Sequence, residues 1–154
     1  MNYPEYTQDL QRIHESEVYG TAVFDMAARL ARNPARKQKW LALKALEEQT
    51  LQRYLDYMKA TGQRVTEPRG WALKGMAEGA ALGLMPWWLA MRLLRDGTQP
   101  FQEKFLRLKD HAEGSDQAFF AYVYAHEKAI EAFASKEMAR EADSLKAVHS
   151  LLGR

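Results

Sequence analysis

The chain has 154 residues, 47% hydrophobic and 27% charged, with a net charge of +2 and no cysteine. A chain of this size and composition buries one core, which argues for a single domain over residues 1–154 and against intrinsic disorder. The missing cysteines exclude disulfides and thiolate metal sites, and the small, dispersed charge gives nucleic acid no footprint.

Apolar residues recur at helical spacing throughout and no segment alternates as a strand does, so an all-α chain is expected. The N-terminal segment MNYPEYTQDLQRIHESE carries early acids and no apolar run, so neither a secretory signal nor a transit peptide is expected, and the cytoplasm is the expected location. A first helix is predicted over residues 7–32 and a second over 34–61, with Asn33 and Pro34 between them and Gly62 as the closing cap. So brief a junction makes them antiparallel neighbours. Residues 63–69 read as a connection, and residues 71–96 as a third helix, kinked or broken at Pro86, with Gly75, Gly79 and Gly83 along one side for close backbone approach. A shorter helix over 100–112, a fourth main helix from residue 116 to about 140, and a last short helix from about 143 complete the chain.

The apolar run GAALGLMPWWLAM is about half the length of the ~20 residues that cross a bilayer, and Arg92 and Arg95 close it. No transmembrane span is expected, while peripheral membrane contact or a hydrophobic small-molecule partner fits so greasy a stretch. A homodimer is the expected assembly.

Three helices carry a glutamate where the core should be. Glu17 falls on the stripe of Leu10, Ile13, Gly20, Phe24 and Ala28; Glu47 lies among Leu43, Leu46, Thr50 and Tyr54, whereas Glu48 is turned about 100° away. Glu127, with His126 beside it, lies on the stripe of Phe120, Val123, Ile130 and Phe133. Glu78 in the third helix, between Ala77 and Gly79, is a further candidate. A buried carboxylate neutralises, pairs or coordinates a cation, and three at one depth call for a shared solution. Taken singly, each could instead reach solvent from the border of its stripe. His126 alone reads as a hydrogen-bonded core histidine, His14 as solvated or near Glu17, and His111 and His149 as helix-end residues.

Glu17, Glu47 and Glu127 resemble the carboxylate positions of the ferritin-like superfamily, the di-iron bundles that include rubrerythrins and demethoxyubiquinone hydroxylases. The resemblance implies a ferritin-like up-down four-helix bundle with one or two extra short helices, and iron or manganese as cofactor. In that superfamily one helix gives a Glu and the next a Glu-x-x-His, and the pair repeats. Here Thr50 stands three residues after Glu47 and Ile130 three after Glu127, so neither histidine is present, and His126 could replace one. The resulting expectation is redox or oxygen chemistry on a hydrophobic small molecule, with metal at Glu17, Glu47, Glu127, His126 and Glu78, and substrate access past Trp71, Met85, Trp87, Trp88, Thr50 and Tyr54. The rival expectation is a metal-free bundle acting as a binding or protein-interaction module, its inward glutamates paired with Lys44, Lys74, Lys128 or bundle hydroxyls.

Overall fold

In the computed structural model, which describes residues 3–154, helix is the only regular structure among the described residues. The Asn33 side chain accepts a hydrogen bond from the Arg36 amide at 3.1 Å and Pro34 fills the first turn, so α1 (Tyr6–Leu30) gives way almost at once to α2 (Pro34–Ala60). Gly62, at φ 67°, turns the chain out of α2. α3 (Trp71–Leu84) ends at Met85, extended at ψ 165°, because Pro86 has no amide to continue the ladder; α4 (Trp87–Gly97) begins directly after it. The expected long third helix is therefore two helices. α5 (Gln99–His111), α6 (Asp116–Met138) and α7 (Lys146–Leu152) complete seven helices among the described residues.

Contacts across the helices fix their directions. α2 runs antiparallel to α1: Phe24 stacks on Trp40, Lys44 pairs with Asp25 at 3.1 Å, and Tyr6 donates to Gln63 at the other end. α6 runs antiparallel to α2, with Lys39 and Glu137 2.8 Å apart at one end and Tyr57 stacked on Phe119 at the other. α4 and α5 form one broken wall antiparallel to α6, since Trp87 donates to Glu137, Gln99 to Glu131, and Lys109 lies over Tyr124. The walls α1, α2, α4–α5 and α6 thus run up, down, down and up.

α3 is the return stroke between the two downward walls. It lies parallel to α1, with Gly75, Gly79 and Gly83 against the backbone of Tyr19, Val23 and Ala27. This departs from a strict up-down order in which residues 71–96 form a wall, and the cause is local: the glycines seat α3 on the outside of α1, and Pro86 hands the wall to α4–α5.

The core is split into two apolar clusters. One gathers Phe24, Trp40, Leu43, Met91, Phe133 and Val148, and the other Ile13, Tyr54, Phe105, Leu108, Phe120 and Val123. Each fully buried large side chain contributes about 1.5–3 kcal/mol. In α1 the clusters are separated by the stretch containing Glu17, in α2 by Glu47 and Thr50, and in α6 by His126 and Glu127. A polar layer crosses the molecule at mid-height.

Candidate metal centre

Each glutamate of that layer sits on a stripe that the helical period carries inward from both sides. Glu17 is one turn from Ile13 and from Gly20, both buried; Glu47 follows Leu43 and Leu46; Glu127 follows Val123 and precedes Ile130. Glu17 and His126 are fully buried, and Glu47 and Glu127 are 4% exposed. Nε2 of His126 lies 3.3 Å from Glu47, 3.7 Å from Glu17 and 3.9 Å from Glu127. The alternative in which these acids reach solvent is therefore corrected: three carboxylates converge on one imidazole.

The environment is unfavourable for so much negative charge. Burial, reinforced by Glu47 and Glu127, raises the Glu17 carboxyl well above the ordinary carboxylate range. Burial also pushes Glu127 up, to about 8, with His126 pulling the other way and Glu47 adding to the rise. For His126 burial favours the neutral ring, but the negative charge of Glu47 beside it, with help from Glu127, outweighs burial and the net direction is upward.

Oε2 of Glu17, Oε2 of Glu47 and Nε2 of His126 are buried without a hydrogen-bond partner. One ligand atom from each of these residues lies within 4.8 Å of the others. Leaving a buried polar atom unpaired costs about 1–3 kcal/mol, more when it is charged, so three in mutual reach form a set that a cation would satisfy at once.

The other face of His126 is held. Thr50 Oγ1 lies 2.5 Å from His126 Nδ1 and 2.9 Å from Tyr122 Oη, and Gln49 Nε2 donates to Tyr122 Oη at 2.9 Å and to the Leu151 carbonyl at 2.8 Å. Each hydroxyl has one proton to give, so the chain has two arrangements. If Tyr122 donates to Thr50 and Thr50 to Nδ1, Nε2 carries the ring proton toward the carboxylates. If Nδ1 donates to Thr50 and Thr50 to Tyr122, Nε2 presents a lone pair, as a metal ligand requires. Thr50, placed by sequence in substrate access, instead orients the His126 ring.

A cavity of about 580 Å³ opens onto the layer at Glu47 and Glu127. Trp71 and Met85, two of the positions expected for access, line it. Three other expected access positions fall elsewhere. Trp87 packs edge-on against Trp40 and donates to Glu137, Trp88 is 61% exposed, and Tyr54 is buried in the second core cluster beside His14, lining a separate cavity. Glu78 is not with the other acids: it accepts a hydrogen bond from Tyr19 on the cavity wall. His14, expected to be solvated or near Glu17, is 2% exposed, and burial lowers its pKa.

The ion pairs of the rival reading are not made among the described residues, whereas hydroxyl contacts of that reading are, Ser16 donating to Glu17 at 3.4 Å and Tyr19 to Glu78. Lys44 pairs with Asp25 and Glu48, Lys128 with Glu131, and Lys74 lies over the rings of Tyr19 and Trp71. No helix among the described residues is long and apolar enough to cross a membrane. Compared with protein-family models, curated proteins and solved structures, the chain matches none.

Proposed function

We propose that this chain is a ferritin-like, metal-dependent oxidoreductase or oxygenase acting on a hydrophobic small molecule, with one iron or manganese ion held by Glu17, Glu47 and His126 and with Glu127 beside it. The observation that carries this reading is that Glu17, Glu47 and His126 each keep a buried atom without a hydrogen-bond partner and each offer a ligand atom within 4.8 Å of the others. One imidazole nitrogen with carboxylate oxygens is a donor set that suits iron(II) or manganese(II). The order up, down, down, up with a long crossover agrees with a ferritin-like plan.

A single ion fits better than a carboxylate-bridged pair. α4–α5 faces the cavity with Gly97, Thr98 and Phe101 and supplies no acid there, and α3 keeps Glu78 on Tyr19. When bound, the ion would supply one-electron chemistry and a place for oxygen. The chain's own groups do the rest. Glu17 and Glu47 supply negative charge in a dry layer, and Thr50, backed by Tyr122, holds the His126 ring at Nδ1 and can accept its proton there, which frees Nε2 for the ion. Glu127, facing the cavity, is a carboxyl that can hold or release a proton there. The apolar walls exclude water from the substrate.

The test is elemental analysis of untagged protein followed by anaerobic titration with ferrous iron and manganese. One ion per chain is expected. Glu47→Gln should bind it more than about a hundredfold more weakly, beyond the 10–100-fold typical of outer positions, with helix content unchanged. Two ions per chain would defeat the single-ion site, and none under any of these conditions would defeat the metal reading.

A further inference from the structure

The cavity is polar at one end only, and its cations are unevenly engaged. Its inner end is formed by the carboxylates of Glu47 and Glu127, its walls include Leu82, Met85, Phe101 and Ile130, and Arg12, Lys74 and Lys104 also line it. The Arg12 guanidinium lies 5.3 Å and Lys74 Nζ 5.0 Å from the centre of the Trp71 ring, so one indole gathers two cations. Arg12 is ion-paired with Glu15 at 2.8 Å. Lys74 and Lys104 have no carboxylate partner among the described residues: Glu78, one turn from Lys74, is taken by the Tyr19 hydroxyl, and Lys104 reaches only the Pro100 carbonyl, at 3.4 Å. Lys74 is exposed and Lys104 half-buried, whereas Glu47 and Glu127 are buried, so unpaired positive charge marks the mouth and buried carboxyl groups the floor.

We propose that the cavity takes an amphiphile with a single carboxylate head, a medium-chain monocarboxylic acid, bound with its head between Lys74 and Lys104 and its chain directed toward Glu47 and Glu127. This rests on the metal reading for the identity of the inner end, but the binding polarity itself needs no metal. An anionic head is attracted by the two lysines, which no carboxylate of the described residues neutralises. The chain gains about 25 cal/mol for each Å² of apolar surface taken from water. The volume of about 580 Å³ lies within the roughly 300–1,000 Å³ usual for small-molecule sites. The orientation brings the unactivated end of the chain, not the headgroup, to the buried carboxylates, so the floor selects for position along the chain and the mouth selects for charge.

The test is calorimetric titration of the purified full chain, without added metal, with decanoate, 1-decanol and decyltrimethylammonium. Decanoate is expected to bind about tenfold more tightly than decanol, as two partly exposed ion pairs would give, with the cation weakest and added salt narrowing the gap. The double variant Lys74→Gln, Lys104→Gln should lose the preference for decanoate while keeping its affinity for decanol and its thermal midpoint. Leu82→Trp, which narrows the cavity, should weaken binding of all three. Equal binding of decanoate and decanol, a preference that survives in the lysine variant, or no binding of decanoate would overturn the proposal. Manganese titration of the same samples separates the two readings. Manganese bound without a decanoate preference removes this proposal alone, and a decanoate preference without manganese removes the metal site alone.

Discussion

A methyl group at position 20 would lie 2.5 Å from both Cδ and Oε1 of Glu47, so the absence of a side chain at Gly20 is what lets that carboxylate reach the layer. The obstructing atoms are the free end of a flexible side chain, which can rotate away more cheaply than backbone can move. Gly20→Ala is therefore expected to leave stability within about 1 kcal/mol of the parent, because the helix-propensity gain of alanine offsets the crowding. Its effect falls on the site: Glu47 is pushed from His126, and affinity for manganese should drop by about tenfold or more in the same titration. Unchanged affinity would mean that Glu47 is not a ligand. At this scale much was legible. Glu17, Glu47, Glu127 and His126 betray themselves by breaking apolar stripes of helical period. Thr50 does not, because its role depends on the register of α2 against α6, which no local pattern records. Glu78 misleads for a related reason: the small residues beside it signal close packing, but Gly79 meets the backbone of α1 while the acid stays on the flank with Tyr19.

Between elements, the seam of α3 on α1 reverses the balance found at Gly20. A Cβ at Gly79 would overlap the carbonyl oxygen and Cα of Val23, which are backbone and cannot turn aside. Alanine would gain about 1 kcal/mol of helix propensity, but overpacking against a fixed neighbour costs about 1–3 kcal/mol, so the sum should be destabilising. Gly79→Ala is expected to lower the urea midpoint and to shift Leu82, loosening the cavity wall; a variant more stable than the parent would refute the close approach. The boundaries of α1, α2, α5 and α6 were readable because caps and breakers sit at them: Asn33 with Pro34, Gly62, and Gly114 at φ 59°. The part played by α3 was not, since the three glycines announce contact without saying with what. Only the pairing of Tyr19, Val23 and Ala27 with those glycines shows that the most apolar helix is a crossover and not a wall.

At the scale of the whole molecule, the buried layer couples folding to pH. The folded chain holds protons on Glu17, on Glu127 and on His126 more tightly than the ordinary values of these groups: burial dominates for the two acids, and Glu47 overrides burial for the histidine. A group whose folded pKa is raised stabilises the fold fully below its unfolded value and loses that contribution as pH rises through the folded one. For Glu127 the window runs from the ordinary 4.5 to about 8. Carboxylates paired elsewhere, Glu131 and Glu137, have lowered pKa values, so their contributions disappear only on the acid side. His14, lowered by burial, opposes the trend up to its ordinary 6.5, which leaves the stretch from 6.5 to about 8 as the clearest. There the metal-free protein should lose about 1.4 kcal/mol per pH unit for each proton released on unfolding. A bound cation replaces those protons, and at a hundredfold excess over its Kd it adds about 2.7 kcal/mol. Thermal midpoints should therefore fall with pH in the metal-free protein and flatten when manganese is present, and Glu17→Gln should flatten the metal-free curve by removing one of the protons. A metal-free midpoint that climbs from pH 6.5 to 8 would show that the carboxylates are ionised and paired in some other way, whereas a descent that manganese leaves untouched would keep the shared protons and dismiss the ion.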